Sequence, residues 1–176
     1  MALITRELTP ADRAEWEPLW RGYQAFYKVD IPAATTDVTW ARFHDPKEPM
    51  WAYGAIHEGR MVGIVHAILH RSCWTVQDYC YLQDLFVDPT VRGTGAGRAL
   101  IEKVYEIAKE KGAGRVHWLT HETNDTAMLL YDRIAERGGG IGIFMNGAQG
   151  GMVTADNRGP DGRDVSTWEE CVRIGT

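Results

Sequence analysis

The chain has few cysteines, no excess of basic charge and no long apolar run. Its three cysteines, Cys73, Cys80 and Cys171, are odd in number and lack metal-ligand spacing, so they predict reduced thiols rather than a disulfide framework. The formal net charge of -5 argues against a nucleic-acid-binding surface and favours neutral or cationic ligands. No stretch approaches the ~18 apolar residues of a membrane-spanning helix. The amino-terminal segment also lacks the apolar core of a signal peptide, so we expect a soluble, cytoplasmic protein.

The segment Leu82–Leu100, LQDLFVDPTVRGTGAGRAL, places a short apolar strand at 85–87 before a glycine-rich loop and a helix. Glycine has no Cβ, so it lets backbone N–H groups approach a bulky anion. The start of a helix adds unpaired N–H groups and a positive dipole end. The segment therefore predicts a phosphate or pyrophosphate site. The glycines of the loop are Gly93, Gly95 and Gly97.

This loop lacks the residues of two common nucleotide-binding motifs. A P-loop requires lysine and then serine or threonine after its last glycine, whereas Gly97 is followed by Arg98 and Ala99. A dinucleotide-binding fingerprint requires a third glycine where Arg98 stands. Both absences oppose a nucleotide-dependent enzyme, which is the weakest of three hypotheses for this chain. The pattern that the loop does contain is R-x-x-G-x-G, formed by Arg92, Gly95 and Gly97.

A second motif follows the apolar strand at 116–119. Asn124 stands before a helical pattern, and Tyr131 lies seven residues after it. With these two motifs in this order, the chain resembles the GNAT N-acetyltransferases. It is most similar to the branch that holds the spermidine/spermine (diamine) acetyltransferases and the related histone- and polyamine-acetylating enzymes, whose central strand is like LEDLFV. The resemblance is strongest from about Met61 to Arg137.

The resemblance implies the GNAT acyl-CoA N-acyltransferase fold, which is an α/β (α+β) arrangement. Its central sheet is mixed and mostly antiparallel, with a parallel pair between the fourth and fifth strands and about four flanking helices. We expect a single domain at 3–146, followed by an atypical glycine-rich tail at 147–176. The composition of this tail predicts either partial disorder or a segment that completes the sheet. Because many relatives form dimers, the resemblance also implies a homodimer.

Hydrophobic periodicity and turn signals place the elements along the chain. The expected strands are Leu3–Leu8, Met50–His57, Met61–His70, Val76–Val87 and Arg115–Leu119. The expected helices are one capped by Thr9, then Thr36–Phe43, Gly97–Lys111 and about Asp125–Arg137. His66 and His70 lie four apart in a strand. No third ligand is spaced to join them, so we expect satisfied or surface histidines rather than a metal site.

The first helix carries a wide aromatic stripe. Two interpretations of the stripe stay open: it faces the core, or part of it walls an acceptor pocket together with the segment that runs from Tyr27 to Asp30. Its members are Trp16, Leu19, Trp20, Tyr23, Phe26 and Tyr27.

The reaction that the resemblance implies is attack of a free amine on the acetyl thioester of acetyl-CoA, without a metal. The developing oxyanion needs a donor, and the resemblance implies that the backbone N–H of Phe86 or Val87 supplies it. The implied cofactor-binding residues are Leu85, Phe86, Val87, Arg92, Gly93, Thr94, Gly95, Ala96, Gly97, Arg98, Asn124 and Ala127. The implied substrate-binding residues are Gln83, Tyr27 and Glu122.

The acid of this reaction has a clear candidate, but the base does not. A phenol titrates near pH 10, so Tyr131 keeps its proton at neutral pH and can give it to the departing thiolate. Gln83 stands where the polyamine branch has glutamate, and strand alternation points Asp84 to the other face. Glu122 and His121 could act through water, or solvent could deprotonate the amine.

Two hypotheses of different classes therefore lead. The first is an acetyl-CoA-dependent N-acetyltransferase that acts on a primary amine of a small molecule or peptide. The second is a GNAT-fold module that binds acyl-CoA as a sensor or partner domain and catalyses little. Gln83 and the atypical carboxyl-terminal tail are the features that support the second hypothesis.

Replacing Tyr131 with phenylalanine tests the acid assignment. We expect Tyr131→Phe to lower turnover while leaving CoA affinity nearly intact, because only the hydroxyl that protonates the leaving thiolate is removed. Steady-state thiol release and CoA titration measure the two quantities separately. Equal turnover of variant and wild type would reject the assignment.

Overall fold

The computed structural model describes residues 3–91, 93–120, 124 and 129. The chain divides after Trp118 into two units, and the strands and helices described belong to the first unit. Its strands are β1 (Ile4–Glu7), β2 (Met50–His57), β3 (Arg60–His70), β4 (Tyr79–Val87) and β5 (Arg115–His117). Its helices are α1 (Arg13–Phe26), α2 (Ala33–Arg42) and α3 (Ala96–Glu110), with 3-10 turns at Pro10–Asp12 and Pro89–Val91.

The five strands form one mixed sheet in the order β1-β2-β3-β4-β5. Neighbouring strands are antiparallel from β1 to β4, and β4 and β5 are parallel. Helix α3 connects the parallel pair, as a parallel crossover requires. This sheet confirms the predicted fold class and the predicted place of the parallel pair. The fourth predicted helix, the predicted tail and nearly all of the second motif lie outside the described residues.

The β2–β3 hairpin forms where the sequence predicts it. Its two-residue turn consists of Glu58 and Gly59, which have φ angles of 52° and 77°. Two positive φ angles in succession match the twist of the flanking strands and are the reason that glycine is favoured in such turns. Both predicted strands of this hairpin are confirmed to within one residue.

The other boundaries need small corrections. The α-helix predicted to begin after Thr9 begins instead at Arg13, because the Asp12 carboxylate accepts hydrogen bonds from Thr9 N and Oγ1 and tightens the first turn into a 3-10 turn. Helix α2 begins at Ala33 rather than at Thr36, since the amide of Thr36 already donates to the carbonyl of Pro32. Strand β4 begins at Tyr79 rather than at position 76, and β5 ends at His117 rather than at position 119.

A β-bulge at Gln83 sets the orientation of β4. His66 pairs with Asp84 but the next residue of β3 pairs with Leu82, which leaves Gln83 as an extra residue in β4. Because neighbouring strand residues point to opposite faces, Leu82 and Asp84 face opposite sides of the sheet instead of the same side. Leu82 is buried on one face, while Asp84 contacts His66 on the other.

Helix α3 packs on the face of the sheet that carries Gly63. A Cβ built at Gly63 would lie 3.2 Å from Leu100 Cδ1 of this helix. The spacing of apolar residues in the sequence predicts one apolar side for α3, which the structure buries, and Ile101 extends it. Its members are Leu100, Val104, Ile107 and Ala108.

Helix α1 packs on the opposite face. Trp16, Leu19 and Trp20 are buried and contribute to a core cluster that includes Ile64 of β3. The predicted stripe faces the core at these three positions, whereas Phe26 is 54% exposed. Among the described residues, no helix is long and apolar enough to span a membrane.

One close contact joins α1 to the end of β4. A Cβ built at Gly22 would lie 2.7 Å from Cζ and 2.8 Å from Cε1 of Phe86. Glycine at this helical position therefore gives the Phe86 ring its place against the helix backbone. The ring in turn holds the strand end from which the glycine-rich loop departs.

We expect Gly22→Ala to destabilise the protein, although alanine is the better helix former by about 1 kcal/mol. Overpacking against Phe86 should cost about 1–3 kcal/mol and outweigh that gain. Urea unfolding measures the change. The control is Gly22→Ala in a Phe86→Leu background, where the shorter side chain leaves room and the substitution should become neutral or stabilising. Equal destabilisation in both backgrounds would contradict the contact.

Candidate functional site

The turn after β4 is held by Asp88. Its Oδ1 accepts hydrogen bonds from Thr90 N at 2.9 Å and from Thr90 Oγ1 at 2.7 Å, and these bonds lower the pKa of the carboxyl group. The carbonyl of Asp88 also accepts from Val91 N at 3.1 Å, which closes the 3-10 turn. Thr94 Oγ1 donates to the carbonyl of Val91 at 3.0 Å. The loop is thus organised by its own polar groups before it reaches the helix.

The amino terminus of α3 presents free backbone donors. Gly95 is the N-cap with φ 84° and provides no side-chain cap, and its carbonyl accepts the first helical hydrogen bond, from Ala99 N at 3.0 Å. The amides of the first three helical residues, Ala96, Gly97 and Arg98, therefore have no acceptor within the helix. Positive φ angles at Gly93 and Gly95 turn the loop so that it ends at these amides. This corner can bind an anion.

The outer edge of β4 has free backbone groups beyond the short β5. Strand β5 pairs only with Tyr79, Cys80 and Tyr81, and no other described residue pairs with the remainder of that edge. The amide of Asp88 donates to the carbonyl of Val62 in β3. Because amide direction alternates along a strand, the Phe86 amide also faces β3, whereas the amides of Leu85 and Val87 face the open edge.

This alternation separates the two oxyanion donors that the sequence leaves open. The amide of Val87 points out from the open edge of β4, as an oxyanion donor must. The amide of Leu85, two residues before it, points in the same direction. The Phe86 amide is directed into the sheet, and its ring lies against α1. Phe86 therefore contributes by packing its ring against α1, which positions Leu85 and Val87.

A hydrogen-bonded chain of buried side chains lies between α1 and the sheet. Trp16 Nε1 donates to His66 Nε2 at 2.9 Å, and His66 Nδ1 donates to Asp84 Oδ2 at 2.8 Å. The exposed fractions of these residues are 0% for Trp16, 1% for His66 and 8% for Asp84. An indole N–H can only donate, so His66 Nε2 is the acceptor and the single proton of a neutral imidazole lies on Nδ1.

Tyrosines surround the carboxylate of Asp84. Burial, followed by the charge and hydrogen bonding of Asp84, raises the pKa of Tyr23. Burial, followed by the charge of Asp84, also raises the pKa of Tyr81. The ring of Tyr23 stacks on Trp20 and contacts Tyr27, with centroids 5.4 Å and 4.9 Å apart. The carboxylate thus lies among protonated phenols and aromatic rings.

Among the described residues, no lysine or arginine balances the charge of Asp84. In the described part of the chain, no lysine or arginine forms an ion pair with Asp84, and His66 is its one salt-bridge partner. His66 is neutral in the tautomer that Trp16 requires. A buried carboxylate is costly unless it is paired, so this position is suited to receive a cationic group from a ligand.

The sequence-derived interpretation did not identify Asp84, His66 or Trp16 as site residues. Regular alternation of side chains along β4 gives no sign of the bulge. The sequence around Trp16 does not show that its side chain contacts His66, 50 residues later. One signal was present: Asp84 is an acid within an otherwise apolar strand end. Gln83, predicted to bind substrate, is the exposed bulge residue.

The remaining predicted site residues divide into described and undescribed ones. Tyr27 lies near Tyr81, whose pKa it helps to raise, and its ring contacts that of Tyr23. Arg98 Nε donates to Glu102 at 2.6 Å, and Asn124 Nδ2 donates to Thr120 Oγ1 at 3.4 Å. The predicted residues outside the described ones are Arg92, Glu122, Ala127 and the proposed acid Tyr131.

A cavity of about 460 Å³ lies on the flank of α1, towards the loop before α2. Val29 and Asp30 of the predicted acceptor segment line it, but Tyr27 does not. Glu17, which also lines it, already accepts hydrogen bonds from Arg13 and Arg21.

The two strand histidines both have hydrogen-bond partners. His66 is part of the buried chain, and His70 contacts the carbonyl of Arg71 through Nδ1 and His117 through Nε2, each at 2.8 Å. Within the described residues, no group of three or more His, Cys, Asp or Glu side chains could hold a metal ion.

Comparison with known proteins identifies the family of this chain. The sequence model of the acetyltransferase (GNAT) family matches residues 15–135. The D-amino-acid N-acetyltransferase of Saccharomyces cerevisiae is 36% identical over 135 residues, which cover 76% of this chain and 84% of that protein. The thialysine N-epsilon-acetyltransferase of Caenorhabditis elegans is 36% identical over 63 residues, which cover 36% of this chain and 39% of that protein.

Solved structures show the same fold. An aminoglycoside N-acetyltransferase in complex with a bisubstrate analogue containing CoA has a TM-score of 0.68 at 15% identity, over 83% of this chain and 98% of that chain. At this identity the likeness concerns the fold alone. The family match and the yeast relative each cover most of the sequence, and together with the fold they establish that this chain belongs to the GNAT family as an acetyl-CoA-dependent N-acetyltransferase.

Proposed function

We propose that this protein transfers the acetyl group of acetyl-CoA to the primary amine of a small cationic molecule or a peptide, and that Asp84 receives the amine. The observation that carries the proposal is a buried carboxylate whose only salt-bridge partner among the described residues is a neutral histidine. An ammonium group supplies the missing positive charge. The rings of Tyr23 and Tyr81 near Asp84 favour the same ligand, because aromatic faces attract cations.

The position of Asp84 along β4 supports a role in the same reaction as the open edge. Val87 is three residues further along the strand, or about 10 Å at ~3.3 Å per residue. Asp84 points towards α1, while the amides of Leu85 and Val87 point along the sheet to the edge. An amine can therefore approach from the α1 side while a thioester carbonyl accepts a hydrogen bond at the edge.

The proposed chemistry is direct transfer. The amine nitrogen, after losing its proton to water, attacks the thioester carbon, and the Val87 amide donates to the developing oxyanion. The intermediate collapses, the carbon–sulfur bond breaks, and the thiolate takes a proton from Tyr131 by the role that the family resemblance implies. The nitrogen gives its second proton to water, and the Tyr131 phenolate regains a proton from water. An aspartate carboxylate is a weak base, so Asp84 is assigned to binding and orienting the amine.

We infer the class of acceptor from the number of carboxylates near the end of β4. Gln83 carries no charge where the polyamine branch has glutamate, so Asp84 stands without a neighbouring acid in the strand. This arrangement favours amino-acid-type amines over polyamines. The names of relatives point the same way: the relatives include a D-amino-acid, a thialysine and an L-ornithine acetyltransferase.

A panel of acceptors tests the assignment. Thiol release from acetyl-CoA should be followed with D-amino acids, thialysine, ornithine, polyamines, an aminoglycoside and peptides with free amino termini. We expect the amino-acid-type amines to give the highest kcat/KM. Tight CoA binding with no thiol release from any amine would instead favour the acyl-CoA-binding module.

We expect Asp84→Asn to lower kcat/KM for the best amine by about 10- to 100-fold, because a hydrogen bond to a charged group contributes about 1.5–3 kcal/mol. Asparagine keeps an oxygen for His66 Nδ1, so the fold should be retained. CoA affinity, measured by calorimetric titration, should not change. The matched control is Asp78→Asn. Asp78 lies just before β4, and its carboxylate is paired with Arg71. Equal effects in both variants would contradict the acceptor role.

The start of α3 is the proposed site for the CoA pyrophosphate. The free amides of Ala96, Gly97 and Arg98 meet there, and the helix dipole favours a negative ligand. Gly93 and Gly95 bring the backbone to this position through positive φ angles. Two observations limit the side-chain contribution among described residues: Arg98 Nε is engaged by Glu102, and Thr94 Oγ1 by Val91.

We expect Gly95→Ala to weaken CoA binding, because a left-handed φ of 84° strains any residue with a Cβ. Gly59→Ala is a matched control, since Gly59 has φ 77° and equally open surroundings in the β2–β3 turn. Both variants should lose about 1–2 kcal/mol of stability, and only Gly95→Ala should raise the Kd for CoA. Unchanged Kd in Gly95→Ala would rule out this loop as the pyrophosphate site.

A further inference from the structure

The chain from Trp16 to Asp84 has a defined direction of donation. The Trp16 indole N–H occupies the acceptor position of His66 Nε2, and the one imidazole proton is used by Asp84. A second proton on His66 would place two N–H groups against each other at 2.9 Å. The geometry therefore opposes the imidazolium form of His66.

We propose that Trp16 and His66 are positioning residues that preserve the negative charge of Asp84 for the acceptor amine. The inference rests on the acceptor role proposed above for Asp84. If His66 took up a proton, the buried pair would be neutral overall, and the carboxylate would have no charge left to bind an ammonium group. Trp16 prevents this by donating to the nitrogen that would be protonated.

The other groups around His66 do not provide an alternative source of this effect. From α1, Trp20 contacts the His66 ring with centroids 5.3 Å apart, and from the end of α2, Phe43 does so at 4.6 Å. The Arg13 guanidinium lies 5.1 Å from the centroid of the Trp16 ring, and its charge is balanced by ion pairs with Glu17 and Asp37. Asp84 is the one acid that these contacts place against His66. Among the described residues, the titratable groups beside Asp84 are Tyr23 from α1, His66 from β3 and Tyr81 from β4.

Trp16 and Trp20 form a natural pair of test and control. Both are buried tryptophans of α1, one turn apart, with rings 5.8 Å apart, and both contact the His66 ring. Trp16 Nε1 donates to His66, whereas Trp20 Nε1 has no hydrogen-bond partner in the part of the chain that the structure describes. Trp16→Phe and Trp20→Phe thus remove similar ring volume, but only Trp16→Phe frees His66 Nε2.

The measurement is kcat/KM for the best amine from pH 5.5 to 8.5, expressed as the ratio of variant to wild type so that titration of the amine cancels. Histidine ordinarily titrates near pH 6.5. In Trp16→Phe, His66 can become imidazolium as the pH falls, so the ratio should fall by about tenfold per pH unit on the acid side. In Trp20→Phe the ratio should be independent of pH, whatever its value. The loss should appear in KM for the amine, and the Kd for CoA should not depend on pH in either variant.

A second measurement uses the unmodified protein and needs no activity. In ¹⁵N NMR spectra of histidine-labelled protein, with His66 assigned by its absence in His66→Gln, we expect the Nδ1–H tautomer and an unprotonated Nε2 throughout pH 5.5–8.5. Uptake of a second proton by His66 in the wild type would overturn the inference, as would parallel pH ratios for the two tryptophan variants. Absence of acetylation of every amine, with the tautomer as expected, would instead count against the proposed acceptor role.

Discussion

The extra residue in β4 at Gln83 determines which side chains of this strand face helix α1. Before the bulge, Cys80 and Leu82 are buried on one side of the sheet, and burial raises the pKa of the Cys80 thiol to about 11. After it, Asp84 pairs with His66 on the opposite side. Without the bulge, strand periodicity would direct Asp84 to the same face as Leu82. An unpaired carboxylate in that apolar layer would be strongly destabilising.

The end of β4 directs its side chains and its backbone amides towards different parts of the structure. Its side chains alternate between α1 and α3, while its backbone amides alternate between β3 and the open edge. The short β5 leaves that edge unpaired after Tyr81 among the described residues. The proposed positions of the acyl donor at the edge and of the amine on the α1 side therefore both lie between Asp84 and Val87 of one strand. Catalytic groups held on strands are positioned more accurately than groups held on loops.

Helix α1 carries most of the packing that supports this arrangement. Trp16 fills the core and also orients His66, and Gly22 makes room for the ring of Phe86. Tyr23 stacks on Trp20 and lies beside Asp84. The aromatic stripe of this helix is core at Trp16, Leu19 and Trp20, and we propose that Tyr23 borders the acceptor position beside Asp84. A role for Tyr27 in an acceptor pocket stays a prediction. Trp16, Trp20 and Tyr23 stack along one side of the helix because residues three and four apart share a helix face.

The match to the GNAT family and the geometry of the site describe complementary parts of the protein. The family accounts for acetyl transfer from acetyl-CoA and for the mixed sheet with its single parallel pair among the described strands. The buried chain of Trp16, His66 and Asp84 comes from the geometry of this structure, and we propose that it bears on which amine is accepted. In this proposal, the choice of amine depends on charge, because an unbalanced carboxylate discriminates between cationic and neutral acceptors more strongly than apolar contacts do.

The sequence by itself determined the features that depend on neighbouring residues. The order of strands and helices, the two-residue turn at Glu58 and Gly59, the glycine-rich loop before α3 and the buried side of α3 all follow from local periodicity and backbone preference. Even the positive φ angles of the loop follow from glycine alone. Errors at this level were limited to the ends of elements, where capping groups such as Asp12 compete with helix geometry.

Only the tertiary structure decided how distant residues meet. A bulge changes the face of every residue after it, yet it results from pairing with another strand and leaves no reliable local pattern. The hydrogen bond from Trp16 to His66 joins positions 50 residues apart, and the tautomer of that histidine depends on it. The direction of the Val87 amide likewise depends on which edge of β4 is occupied by β3. These are long-range constraints of packing and hydrogen bonding, and the proposed amine site depends on them.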